Sequence, residues 1–518
     1  MVIISLTKFA LSLAALALAH RIYWEFTTGA RRRALKKQKG CLPAKRWPSK
    51  DPILSIDLFL QNYKSFKGNR LLEWWRCGLI NHNTNTIEMR ILTQTVTVTD
   101  DPENIKSMLS LNFDSWGIGS ERITQLSAYL GKGIFTTEGA AWKHSRDMLR
   151  PCFERNQVAD VSIMEKHTNQ LIVLIPKDGS TIDLQPLFHQ LTLDVATEFL
   201  FGRSTNSLGP NRKDEDVEEF VKAFEYCQNP LSEERMQMYG IFAAFLPDPK
   251  FKRCAKYLQD FVDKIIDDKM NEKKDSSPPS PSPTHRSRYI FLDELLSQTQ
   301  DRSKIRAELL NILLAGRDTT ASLLSNIFFE LPRHPHVLSR LRAEISKHIG
   351  SSPPTYAQLK DLKYLRAIIN ESQRLYPIVP TNSREALIDT VLPRGGGPDQ
   401  SSPVFVPKGG YIAWHSYSMH RSPSIYGPDA EDFNPARWLD GEHPSSPLRP
   451  GWGYLPFNGG PRICIGQQFA LIETSYVTVR ILQAFQELES RDAEPWREKL
   501  TITCTGLGGC KVGLGGFR

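Results

Sequence analysis

Between Ser303 and Leu331 the chain is apolar, nearly free of glycine and proline, and stopped by Pro332. A run of that length predicts one helix, longer than most in globular proteins and buried around much of its girth. Such a helix needs a large body around it. The 518 residues, 40% hydrophobic and 24% charged, are an ordinary globular balance able to bury that core, neither fibrous nor disordered.

The rest of the chain is mostly helical in pattern. Apolar residues fall at helical spacing over 160–175 and 187–201, and further helices are predicted over 335–349, 364–376 and from Cys464 to about Ala484. Strand signals are short. Thr93 to Thr99 alternates β-branched residues, and Asp101-Pro102-Glu103 then starts a helix with acidic residues in its first turn. Short strands alternate with Gly/Pro turns over 377–411, and the Gly-rich tail from Thr501 reads as a terminal hairpin. The fold class is therefore mainly α with small β-sheets. The Ser/Pro-rich stretch 273–288 reads as a low-complexity surface loop inserted in one catalytic domain, 51–518, because chemistry-bearing motifs lie on both sides of it.

The N-terminus carries a different signal. Residues 1–23 are rich in Ile, Leu, Ala and Phe, and are followed by a basic, Pro-containing linker over 24–50 with the cluster Arg31, Arg32, Arg33, Lys36, Lys37 and Lys39. The length suits one membrane-spanning helix. Positive charge behind the apolar run holds that end in the cytosol, which favours an anchor over a cleaved signal peptide. The cluster also accounts for part of the net charge of +8. It holds no aromatic residue to stack on bases, so nucleic acid is excluded as a partner.

The eight cysteines are scattered and contain no CxxC, which excludes a zinc ribbon and makes a disulfide framework untenable. One has an unusual setting. In Phe457-Asn-Gly-Gly-Pro-Arg-Ile-Cys464-Ile-Gly466 the thiol sits in a glycine turn, where backbone N–H groups and the next helix would favour a thiolate.

This segment resembles the haem-binding signature F-x-x-G-x-R-x-C-x-G of the cytochrome P450 family at every fixed position. The resemblance implies that family's fold, a triangular helical prism around haem behind the N-terminal anchor. It implies haem b as cofactor, with Cys464 as the axial ligand and metal ligand, Phe457 in the same loop, and Arg462 on a propionate. Trp142 and Arg146 resemble the family's W-x-x-x-R, which grips a propionate, and Arg384 matches a further propionate-binding arginine. Glu371 and Arg374 can pair at i,i+3, and with Arg437 they resemble a Glu-Arg-Arg network that is structural. Ala315-Gly316-Arg317-Asp318-Thr319-Thr320 resembles A-G-x-D-T-T, which makes Asp318 and Thr319 the catalytic acid–alcohol pair that relays protons for oxygen activation.

The implied reaction is insertion of one oxygen atom from O₂ into a C–H bond, with electrons from NADPH passing through a separate NADPH–cytochrome reductase. The wording of 392–399 and of the motif segments is similar to fungal alkane- and fatty-acid-hydroxylating members. That implies terminal hydroxylation of a lipophilic substrate at the endoplasmic reticulum membrane, with the catalytic domain cytosolic. Leu313, Val379, Pro380, Thr381 and Leu507 are the pocket candidates by family position. A tailoring hydroxylase of fungal secondary metabolism shares every one of these motifs. A haem-thiolate isomerase or dehydratase is the more distant alternative, opposed by the intact Asp318-Thr319.

Overall fold

The computed structural model describes residues 6–209, 215–229, 246–275, 289–444 and 447–517. Most of the expected loop 273–288 lies outside them. The chain divides into two compact units, each assembled from separate stretches.

The smaller unit comprises 1–59, 77–117 and 383–414. It holds a six-stranded sheet whose strands run, in spatial order, Lys45–Arg46, Thr86–Ile91, Gln94–Thr99, Tyr411–His415, Thr381–Ala386 and Trp116–Gly117. The hairpin of Thr86–Ile91 and Gln94–Thr99 buries Ile87, Met89 and Val98 on alternate positions. Asp101 then caps the helix Pro102–Lys106, accepting from the Glu103 and Asn104 amides at 2.8 and 3.0 Å.

The N-terminal segment forms the helix Leu6–Trp24 and, after a π-helical turn, the helix Ala30–Lys39. Phe9, Leu11, Leu13, Leu16 and Leu18 are all exposed. Among the described residues no helix is long and apolar enough to cross a membrane. The physical reason is the short uncharged stretch between Lys8 and Arg21: Phe9 to Ala19 rises about 16 Å as a helix, against a hydrocarbon core of roughly 30 Å. The stretch 24–50 is also more ordered than a linker. Arg32 pairs with Asp389 at 3.0 Å, and Lys36 lies 4.8 Å from the centre of the Phe405 ring.

The larger unit comprises 60–76, 118–382 and 415–518. Its axis is the predicted central helix, Arg302–Glu330, capped by Asp301, which accepts from the Lys304 amide at 3.1 Å. Every residue from Thr320 to Glu330 is buried. Around it pack the helices Leu184–Phe201, Lys363–Leu375 and Gln467–Ala484. The C-terminus departs from the expected hairpin. Cys504–Gly506 pairs with Glu498–Leu500, whereas Lys511–Phe517 pairs with Phe485–Ser490 and Thr181–Asp183. Gly509, at φ +79°, turns the chain between the two strands; the first closes a local hairpin with Glu498–Leu500, and the second finds distant partners.

Glu473, on the helix Gln467–Ala484, is buried against the central helix and hydrogen-bonded to Thr320. Burial pushes its carboxyl up to about 8, the Thr320 hydroxyl opposing only weakly. The folded chain therefore holds a proton that the unfolded chain releases above the usual glutamate range. Stability falls as pH rises between about 5 and 8, by about 1.4 kcal/mol per unit from this group. Glu473→Gln is expected to remove that slope, read from urea unfolding at a series of pH values; an unchanged slope refutes the assignment.

Candidate functional site

The loop that carries Cys464 is built by backbone that side chains would obstruct. Asn458 and Gly460 have φ of +64° and +69°, and a Cβ on Gly459 would lie 2.5 Å from the Trp452 ring. The Cys464 amide donates to the Phe457 carbonyl at 2.9 Å, closing the turn. Of the eight cysteines, all described and none in a disulfide, Cys464 alone is classed as exposed.

Two guanidinium groups converge beside it. Arg146 donates to the Ile463 carbonyl at 2.9 Å, and Arg462 donates to the Thr137 carbonyl at 3.0 Å. Trp142 lies between them, its ring centre 4.4 Å from the Arg462 guanidinium and 5.9 Å from that of Arg146. Trp142 and Arg146 share the helix Gly139–Leu149. Among the described residues neither arginine forms an ion pair with a carboxylate, and burial pulls Arg462 down to about 10. Two half-buried cations without an anion are costly unless one arrives from outside the chain. This donor set fits a dianionic group that presents its anions to the arginines and a metal to the thiol.

The thiol itself corrects one expectation. Although the thiol is open to water, the protein packed around it desolvates Cys464 and pushes it up, and the Gly466 N–H and the Arg146 charge oppose that without overcoming it. The loop's donors alone do not make the thiolate. Arg384 lies in the smaller unit, buried, donating to its neighbour Ser383's carbonyl at 2.7 Å and 5.1 Å from the Trp414 ring centre.

Glu371, Arg374 and Arg437 meet as a closed network with no solvent exposure. Arg374 grips the Glu371 carboxylate through Nε and Nη2, both at 2.9 Å. Arg437 Nε reaches it at 2.9 Å, the Trp438 indole at 2.9 Å and the Asn434 amide at 2.8 Å. The arginines spend their remaining donors on the carbonyls of His420, Ala430, Tyr426 and Asp429. The spacing signalled Glu371 and Arg374; Trp438 and Asn434 join only through the fold.

On the central helix the helix axis stays continuous through Gly316, and the Thr319 hydroxyl donates to the Ala315 carbonyl at 2.7 Å. Asp318 is buried, with Arg317 Nη1 and His189 Nδ1 each 3.3 Å from its Oδ1. Burial pushes its carboxyl up, but Arg317, His189 and a hydrogen bond from Gln228 outweigh that and hold it below the usual range. Asp318 faces a cavity of about 720 Å³, and Thr319 is not among the lining residues. Neither are the five pocket candidates. Leu313 is buried, Val379 is exposed, and Pro380 accepts from the Tyr417 amide at 3.1 Å. Thr381 opens a strand, and the Leu507 amide donates to the Arg497 carbonyl at 2.8 Å. His189 and Gln228 carried no sequence signal: each reads as a polar residue on an otherwise ordinary helix.

Comparison with known proteins agrees with this architecture. The crystal structure of the cytochrome P450DA heme domain superposes with a TM-score of 0.75 at 21% identity, over 92% of this chain and 98% of that one. The cytochrome P450 family model matches residues 82–505. The chain belongs to the cytochrome P450 family. It is 42% identical to cytochrome P450 monooxygenase himC of Aspergillus japonicus, over 92% of this chain and 84% of that protein. It is 44% identical to cytochrome P450 52A5 of Candida maltosa, over 78% and 77%. It is thus an oxidoreductase, a monooxygenase of a family whose fold implies haem with thiolate ligation.

Proposed function

We propose that this monooxygenase hydroxylates the terminal carbon of a long apolar chain, an alkane or a fatty acid. The exposed Cys464 thiol flanked by two cations without carboxylate partners carries the catalytic part of that reading. Cys464 would ligate the haem iron, with Arg462, Arg146 and Trp142 holding the propionates and Phe457 closing the loop. A bound haem with an axial thiolate supplies oxygen activation, the thiolate's electron donation favouring O–O cleavage. A coordinating iron also lowers the Cys464 thiol, which the loop alone leaves protonated.

The chain's own part is proton handling and positioning. Asp318, held ionised by Arg317 and His189, accepts protons from the cavity side of the central helix. The Thr319 hydroxyl, one residue on, passes them toward the haem side. The Glu371 network holds the segments around Tyr426 and Asp429 to the helix Lys363–Leu375, which keeps the Cys464 loop in place. Electrons come from NADPH through a separate reductase, since the chain has no Gly-rich dinucleotide fingerprint. Leu313, Val379, Pro380, Thr381 and Leu507 would guide the substrate. The exposed apolar helix Leu6–Trp24, followed by a cluster of basic residues, would hold the enzyme at the endoplasmic reticulum membrane.

Dodecane and dodecanoic acid test the substrate class. Either one, on displacing water from the ferric iron, is expected to shift the Soret band to the blue in a saturable optical titration. No shift with either, in a protein whose reduced carbon monoxide spectrum is intact, refutes the terminal-hydroxylase reading and favours a tailoring hydroxylase.

A further inference from the structure

The 720 Å³ cavity beside the central helix is lined mainly by polar side chains. Its walls come from the helices Leu184–Phe201 and Glu215–Gln228, and from the hairpin that holds Lys499, Thr501, Thr503 and Thr505. A cavity this large and this polar holds water, because its hydroxyl and amide groups offer several partners to each molecule. Among the described residues one imidazole lines it, that of His189. The ring is about a quarter exposed, and its Nδ1 lies 3.3 Å from the Asp318 carboxylate.

We infer that His189 is a positioning residue for proton uptake, carrying protons from the cavity water to Asp318. The inference rests on the proposed role of Asp318. The step balances within the chain. A proton arriving from solvent as hydronium through the cavity water adds to Nε2 and leaves water behind, while the Nδ1–H passes its proton to Asp318 Oδ1, which becomes a neutral acid. The imidazole ends neutral with its proton on Nε2, and water exchange resets the tautomer. The charges that face this pair are Arg317 from its own helix, Glu225 and Glu218 from the helix Glu215–Gln228, and Lys499 from the hairpin. Arg317 is shared: it bonds Glu225 at 2.5 Å while it approaches Asp318 at 3.3 Å. Arg317 therefore fixes Asp318 in place but cannot deliver protons to it, since a guanidinium does not deprotonate in this range. Gln228, hydrogen-bonded to Asp318, does not titrate either. That leaves His189 as the cavity-lining group beside Asp318 whose two ring nitrogens can take up and release a proton.

His189→Asn tests this, because its amide can reach the Nδ1 position and keep a polar group beside Asp318 without titrating. The assay is NADPH oxidation by full-length enzyme reconstituted with a flavoprotein reductase, with no organic substrate added. The variant is expected to hold its reduced carbon monoxide spectrum and melting temperature. Its oxidation rate is expected to drop by about tenfold or more, with a flatter pH profile and a larger solvent deuterium isotope effect. Parent values for rate, pH profile and isotope effect overturn the inference. Asp318→Asn, run alongside, separates the two readings. If it is slowed while His189→Asn is not, only the role of His189 fails. If Asp318→Asn also behaves as the parent, the reading of Asp318 fails with it.

Discussion

Glu371→Ala is expected to cost at least about 3–5 kcal/mol of stability, the range for removing one partner of a buried ion pair. The figure is a lower bound here because one carboxylate serves two guanidinium groups, an indole and a backbone amide, all at 2.8 to 2.9 Å. Alanine leaves Arg374 fully buried without an anion, while Arg437 keeps only the Asp429 carboxylate, at 2.9 Å. Glu371→Gln keeps the shape and one acceptor but loses the charge, so it should fall between parent and alanine variant. An exposed pair sets the scale. Glu442→Ala removes the ion pair with Arg340, whose side chain is 47% exposed, and is expected to cost only about 0–1 kcal/mol. Urea midpoints of the three variants make the comparison. A Glu371→Ala cost no larger than that of Glu442→Ala would show that the network does not hold the fold.

Cys464→Ala is expected to abolish the thiolate-type reduced carbon monoxide spectrum and all turnover, with helix content unchanged. The separation follows from the local structure. The turn is closed by the Cys464 backbone amide on the Phe457 carbonyl, which alanine retains, and the side chain is not part of the buried core. Cys152, by contrast, is buried, so alanine there should lower stability and leave the spectrum intact. Far-ultraviolet circular dichroism and the reduced carbon monoxide spectrum, taken on both variants, separate the two effects. A Cys464→Ala protein that keeps the thiolate band would move the axial ligand to another residue.

Much of the larger unit could be read from the chain. The central helix Arg302–Glu330 differs from the predicted 303–331 by one residue at each end, since Asp301 caps it and Pro332 stops it. The helices Ser162–Leu174, Pro335–His348 and Lys363–Leu375 fall where apolar spacing places them. The same logic failed at the C-terminus, where adjacent Gly-rich strands do not pair with each other. Strand pairing is a contest among all edges in the fold, and neighbours in sequence hold only a modest advantage. At the N-terminus apolar composition suggested a span, and among the described residues, which begin at Leu6, no helix is long and apolar enough to cross a membrane.

Local chemistry was therefore determined by the sequence alone: the glycine turn around Cys464, the i,i+3 pairing of Glu371 with Arg374, and the Asp318-Thr319 neighbours on one helix. These depend on bond geometry and helical pitch, which any few consecutive residues carry with them. Only the tertiary structure decided that the Trp438 indole and the Asn434 amide close on Glu371 across more than sixty positions. It alone placed His189 on Asp318, and it set burial above the loop's donors at the Cys464 thiol. Those outcomes depend on which surfaces exclude water together, and exclusion is a property of the packed whole.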